Sequence, residues 1–459
     1  MQPGSPGPHV LATRPFDVTN RGVVAIALPM TLAYLSTPLV GLIDTAVIGR
    51  LGIAALMGGI AIGAVVFDFI FSVFNFLRNG TTGLTAQALG AGDVVEERAV
   101  FLRFLLVALG LGIVIIVLRD PVADLGIAVM GPSAEVASAA RRYIDIRIFA
   151  TPFVLANYAM LGWLLGLGRA HIALVLQILL NGLNIGLNLF FVLALDWSIE
   201  GVAAASLIAE TATFFAGLAV VMRVAHGRRW PAWRTVFSAE KFRRMTGING
   251  DIMVRSFGLL IAFGFFTRES ARSGDIVLAT NAVLMNLFIL GGYFLDGFAA
   301  AAEQLAGRAV GARYRPAFDA TIRLTLIWGG ALSLGLTAAY FATGPAIIDA
   351  MTTNEEVRAL ARVYLPWAAL TPVTAVLAFQ MDGVFIGSTW SGDMRNMMLL
   401  SLVAFFAVWW VAVPAWGVHG LWLALLVFLA LRGITLSWRC RAKADETFGA
   451  AAPQGLSGA

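Results

Sequence analysis

The chain has 459 residues, of which 59% are hydrophobic and only 13% charged, and its mean hydropathy is +0.83. No water-soluble class needs so much apolar surface, so the composition describes a polytopic membrane protein. The net charge of +5 reads as membrane topology rather than nucleic-acid binding, and a single cysteine, Cys440, excludes an internal disulfide and a thiolate metal cluster.

Residues 1–22 are turn-rich and weakly charged, and they read as a flexible cytoplasmic tail. About twelve spans of ~20 apolar residues follow, at 23–48, 57–77 with an extension towards 89, 101–118, 143–165, 173–195, 202–222, 253–266, 277–301, 324–341, 364–386, 397–415 and 421–438. Lys and Arg gather in the loops on the side of the amino terminus. That bias places both termini in the cytoplasm of a multi-pass protein of the plasma, or inner, membrane.

The first span carries Pro29, Pro38 and Asp44. Proline has no N–H for the carbonyl four residues back and its ring crowds that turn, so the helix is expected to bend at Pro29. A charge within a span costs ~3 kcal/mol even on the lowest scales, so an intramembrane Asp marks an ion or substrate pathway. The bland alternative is that Asp44 ends the helix near the membrane surface beside Arg50.

In the fifth span Gln177, Asn181, Asn184 and Asn188 recur at i, i+4, i+7 and i+11. At ~100° per residue this stacks four amides on one helical face, and such a face cannot look onto lipid. It either lines a polar cavity or binds neighbouring helices by hydrogen bonds. The loops 119–142 and 344–362 read as solvated caps. Asp68, Glu210, Asp296, Glu303 and Asp382 are further ionisable residues inside spans, and Asp296 and Glu303 lie seven apart on one face.

The basic stretch 224–249 sits near the middle and reads as a cytoplasmic linker between an N-lobe, 23–223, and a C-lobe, 250–440, followed by a tail, 441–459. The halves repeat. LRNGTTGLTAQALGAG from Leu77 aligns with FLDGFAAAAEQLAGRAVG from Phe294, pairing Gly80, Gln87 and Gly90 with Gly297, Gln304 and Gly307. TPFVLANYAMLGWLLG from Thr151 aligns with TPVTAVLAFQMDGVFIG from Thr371 after one insertion. Six spans per half restore the same orientation, so the repeat is parallel. The expected fold is all-α: twelve transmembrane helices in two pseudo-symmetric six-helix lobes. The Gly-spaced ends of the second and eighth spans suit close helix packing.

There is no HExxH, Cys-x-x-Cys or phosphate-binding-loop signature, and the four histidines are scattered. No catalytic site, metal or organic cofactor is therefore expected, and an ion gradient must supply the energy.

The first-span pattern ending in GLIDTAVIGRLG, with TTGLTAQALGAGD, NGLNIGLN and MDGVFIGSTWSGDMRNMM, resembles the multidrug and toxic compound extrusion (MATE) family, in its DNA-damage-inducible protein F (DinF) branch. The resemblance implies a monomeric antiporter that exports cationic or amphipathic compounds by alternating access in exchange for H⁺ or Na⁺. Asp44 matches the first-helix carboxylate that family members protonate, and Pro29 the proline where that helix bends. Thr37, Asn157, Gln177, Asn181, Asn184, Asn188 and Ser206 are expected at the N-lobe cavity; Asp296, Glu303 and Asp382 are the candidate C-lobe carboxylates, of which Asp382 alone is an analogue of the Glu and Asp pair that another branch of the family uses there. Some relatives have Asp in place of Asn188. Asn188 supplies an uncharged oxygen where an Asp would have strengthened a sodium site, which favours protons. The alternatives are an organic-anion (citrate-like) exporter anchored by Arg78 and Arg255, and a lipid-linked oligosaccharide flippase, against which stands an expected scarcity of arginines inside the spans.

Overall fold

The computed structural model describes residues 14–49, 53–226 and 230–449; towards the end of the first helix several side chains, that of Asp44 among them, fall outside the described set. In a bilayer the backbone N–H and C=O groups of a span must pair within the span, and the described elements are helices. They are α1 (Asn20–Gly49), α2 (Ala54–Phe74), α3 (Phe76–Ala91), α4 (Val94–Val117), α5 (Arg119–Met130), α6 (Ala134–Arg147), α7 (Thr151–Gly166), α8 (Ala170–Leu189) and α9 (Ile199–Val224). The short α10 (Trp233–Val236) leads to α11 (Ala239–Arg272), α12 (Asp275–Gly311), α13 (Arg315–Met351), α14 (Glu355–Gly387), α15 (Ser391–Trp416) and α16 (Val418–Phe448).

Among the described residues eleven helical stretches are long and apolar enough to cross a membrane. With α1, which runs for 30 residues through both Pro29 and Pro38, they make twelve spans in two lobes, α1–α9 and α11–α16. The second span is α2 and α3 joined at Asn75, and the fourth is α6 and α7 joined by a tight turn at Ile148–Ala150. At 37 residues, α12 is roughly 55 Å long, well beyond the ~30 Å hydrocarbon core. It therefore tilts or projects past the membrane.

Three stretches differ from the sequence reading. Helix α11 starts at Ala239, inside the stretch read as linker, because Phe242, Met245, Ile248 and Ile252 recur every three or four residues and turn towards the core. Helix α16 continues to Phe448, into the stretch read as a tail. The loops read as solvated caps are largely helical: Arg141 on α6 pairs with Asp120 and Asp124, one turn apart on α5, and with Asp145.

Among the described residues the apolar clusters shared by the two lobes lie towards the end carrying the linker. There Leu77 and Phe104 of the N-lobe belong to the same cluster as Ala306, Ala309 and Phe385 of the C-lobe, whereas the cluster around Phe266, Phe405, Trp422 and Phe428 lies wholly within the C-lobe. The seam is tight because glycines line it. A Cβ on Gly307 would stand 2.8 Å from the Ala86 Cβ of α3, and one on Gly90 would stand 2.8 Å from the Ala312 nitrogen; neither fits unless the lobes move apart. The repeat is visible in the bonding too. Gln87 Nε2 donates to the Gly387 carbonyl (3.0 Å) and to Thr389 Oγ1 (3.1 Å), while its counterpart Gln304 donates from Nε2 to the Gly166 carbonyl (3.3 Å). Each glutamine crosses to the equivalent glycine of the other lobe.

Candidate functional site

In the N-lobe the amide stripe of α8 is a hydrogen-bonded ladder. Gln177 Nε2 donates to Asn181 Oδ1 (3.1 Å), and Asn181 Nδ2 donates to Ser36 Oγ on α1 (2.7 Å). Asn188 Nδ2 donates to Asn184 Oδ1 (3.0 Å), and Asn184 Nδ2 donates to Ser206 Oγ on α9 (3.0 Å). Asn181 and Asn184 keep a little exposure, and Asn188 has none. The stripe thus ties α8 to both α1 and α9, and it shows the interhelical bonding that the spacing left open alongside a cavity role. Thr37 is exposed and bonds back to the Ala33 carbonyl (3.5 Å); its neighbour Ser36, which sequence reasoning passed over, is the one that meets the ladder. Asn157 on α7 donates to Glu210 Oε2 on α9 (2.7 Å). Pro29 lies within α1 as expected. Asp44 lies on the same helix, and its side chain is outside the described residues.

A second set of charged groups gathers where the C-lobe faces α3. A cavity of about 280 Å³ is lined by Arg78, Arg255 and Arg432 and by Asp296, Glu303 and Asp382. Asp382 on α14 accepts at Oδ2 from Arg255 Nη1 on α11 (3.0 Å) and from Arg432 Nη2 on α16 (3.1 Å). Three helices are thereby tied at one oxygen. Arg78 reaches the cavity from α3, where the joint at Asn75 ends α2; its Nε donates to Asn75 Oδ1 (3.3 Å), and its guanidinium bonds the Tyr34 hydroxyl of α1. Asp296 and Glu303 lie on α12, and Asp296 stands where the repeat gives Asn79 in the other lobe; Asn79 lines the same cavity. All three C-lobe carboxylates singled out in the sequence therefore meet. The expected scarcity of arginines within the spans does not hold: Arg255 and Arg432 are buried in them. Arg432 was missed, although a lone arginine within LLVFLALRGITL is the kind of residue that marks a pathway.

A helical bundle of twelve spans, sealed at one end and enclosing a charged cavity, has the architecture of a membrane transporter. The chain belongs to the MatE family, whose profile matches residues 29–190 and 253–412, one stretch in each lobe. It is 41% identical over 429 residues to DNA damage-inducible protein F of Escherichia coli (strain K12), covering 92% of both chains. It is 25% identical to the probable multidrug resistance protein NorM of Caulobacter vibrioides, covering 92% of this chain and 93% of that one. Its fold matches a crystal structure of MATE in the straight conformation with a TM-score of 0.85 at 19% identity, over 93% of this chain and 96% of the other.

Proposed function

We propose that the chain is a secondary exporter of cationic or amphipathic small molecules, a drug and toxic-metabolite antiporter driven by inward proton flow, with Asp44 as the carboxylate that takes the proton. The observation that carries this reading is the two-lobe bundle closed at the linker end around a charged cavity, the arrangement alternating access requires. A relative named as a probable multidrug resistance protein matches nearly the whole chain and supports the substrate class. On this reading the chain works as a monomer in the plasma membrane with both termini in the cytoplasm, and the sealed end faces inwards. Desolvation disfavours a charged Asp44; a proton arriving from outside neutralises it, weakens its hold on a cationic group, and favours the bend at Pro29, where the helix already lacks one hydrogen bond. A state-dependent affinity of this kind is what couples two fluxes.

The test is efflux from proteoliposomes under an imposed pH or Na⁺ gradient, with wild type and Asp44→Asn. A pH gradient alone should drive wild-type transport, and the Asn variant should be inactive under it. Sodium-driven transport without a pH gradient, or full proton-driven transport by the variant, overturns the mechanism.

A further inference from the structure

The linker between the lobes lies against the N-lobe and is fastened from beneath. Arg103 on α4 is 2% exposed; its Nε donates to the Val236 carbonyl and its Nη2 to the Thr235 carbonyl, both at 2.9 Å. Glu96 pairs with Arg103 Nη1 and with Lys241 Nζ, both at 2.8 Å, and Val236 is fully buried. Glu96 and Arg103 stand on either side of Phe101, where the apolar run of α4 begins. These bonds therefore hold α10 level with the start of that run.

The outward side of the linker is aromatic and basic. Trp230, Trp233 and Phe237 are 44%, 63% and 59% exposed. Trp233 stacks on Phe237 at 5.8 Å between ring centres, and Phe237 on Phe242 at 6.1 Å, which brings the start of α11 beside α10. Exposed rings rimmed by charge mark a partner or membrane surface, and an indole is favoured where lipid meets water. Arg234 on α10 and Arg243 on α11 are exposed, and neither has an ion-pair or hydrogen-bond partner among the described residues. Across 224–249 the sequence supplies one acid, Glu240. Lys241 is spent on Glu96, and Arg244 donates to Gln87 Oε1 at the seam (3.0 Å).

An unanswered guanidinium binds a phosphate oxygen by charge-assisted hydrogen bonds, and a basic segment at the membrane surface gathers acidic lipid. A soluble acidic partner would satisfy the arginines and leave the rings in water; a neutral lipid would cover the rings and leave the arginines unanswered. An acidic lipid does both. We propose that the linker is a docking surface for an anionic phospholipid, its phosphate towards Arg234 and Arg243 and its glycerol and upper acyl chain against Trp233 and Phe237. The inference stands apart from the transported substrate, the coupling ion and the face of the membrane on which the linker lies.

Hydrogen exchange of the full chain in nanodiscs of palmitoyl-oleoyl phosphatidylglycerol, and of the phosphatidylcholine with the same acyl chains, tests it. Amides of 230–244 should exchange at least about threefold more slowly in the acidic lipid, because a ligand bound to the folded linker opposes its opening. Arg234→Gln with Arg243→Gln should abolish that difference. Arg323→Gln with Arg441→Gln, two exposed arginines of α13 and α16 outside the linker, should leave it intact. Trp233→Ala with Phe237→Ala should lessen the protection in both lipids. Equal exchange by wild type in the two lipids overturns the proposal, as does a difference that survives the Arg234 and Arg243 pair. A difference lost equally with the Arg323 and Arg441 pair marks a general response to membrane charge and overturns it too. Titration of wild type in neutral detergent with short-chain phosphatidylglycerol needs no variant: protection confined to 230–244 supports the surface, and protection of the whole chain or of none of it sinks the idea.

Discussion

Asn184 sits at the centre of the N-lobe ladder, giving a hydrogen bond to Ser206 and taking one from Asn188. Asn184→Leu removes both of these hydrogen bonds. Interhelical bonds of this kind average only ~0.6 kcal/mol in membranes, so the variant should insert and purify while efflux falls by roughly tenfold, or about 1.4 kcal/mol in the barrier. Efflux from proteoliposomes and thermal unfolding in detergent measure the two effects; normal transport by a folded Asn184→Leu protein would remove the ladder from the mechanism. The ladder was legible because a helix imposes its own period, and four amides at i, i+4, i+7 and i+11 share a face whatever surrounds them. The Asp382 cluster was only half legible. Its three members come from α11, α14 and α16, and nothing local in one sequence says which arginine will face which carboxylate.

Among the helices, the inter-lobe seam runs along α3, α7, α12 and α14. The bonds of Gln87 and Gln304 across it contribute ~1 kcal/mol each. Replacing both by alanine should shift the balance towards an open seam by roughly thirtyfold in favourable conditions. Hydrogen exchange should accelerate in residues 80–91 and 300–311 and more in the double variant than in either single one; unchanged exchange would mean that glycine packing alone holds the seam. The paired Gly and Gln positions were visible in the aligned halves, whereas the crossing of each glutamine to the opposite lobe was not, because an alignment records likeness and not contact. Element ends were the least legible feature. Helix α11 runs back to Ala239 beneath Lys241, Arg243 and Arg244, where charge masks an apolar stripe that only its period betrays.

At the scale of the whole molecule, the bias of Lys and Arg predicts that both termini and the linker face the cytoplasm. On a Cys440→Ser background, an impermeant thiol reagent added outside intact cells should label a cysteine placed at Asn354 and miss one placed at Trp233; the reverse pattern would invert the topology. Twelve spans and two lobes were readable because hydropathy and a repeat with an even number of spans are properties of the chain by itself. The closure of one end was not, since it depends on which of two packings the lobes adopt.

The crossed glutamines also bear on where such a molecule comes from. Each half supplies one donor and one acceptor to the same pair of contacts, so residue and counterpart answer each other as they do in an isologous interface between identical subunits. Two copies of a single six-helix chain could have closed on one another by these same two bonds before any linker joined them. The join would then have freed each half to diverge, leaving the amide ladder on one side and the ion cluster on the other.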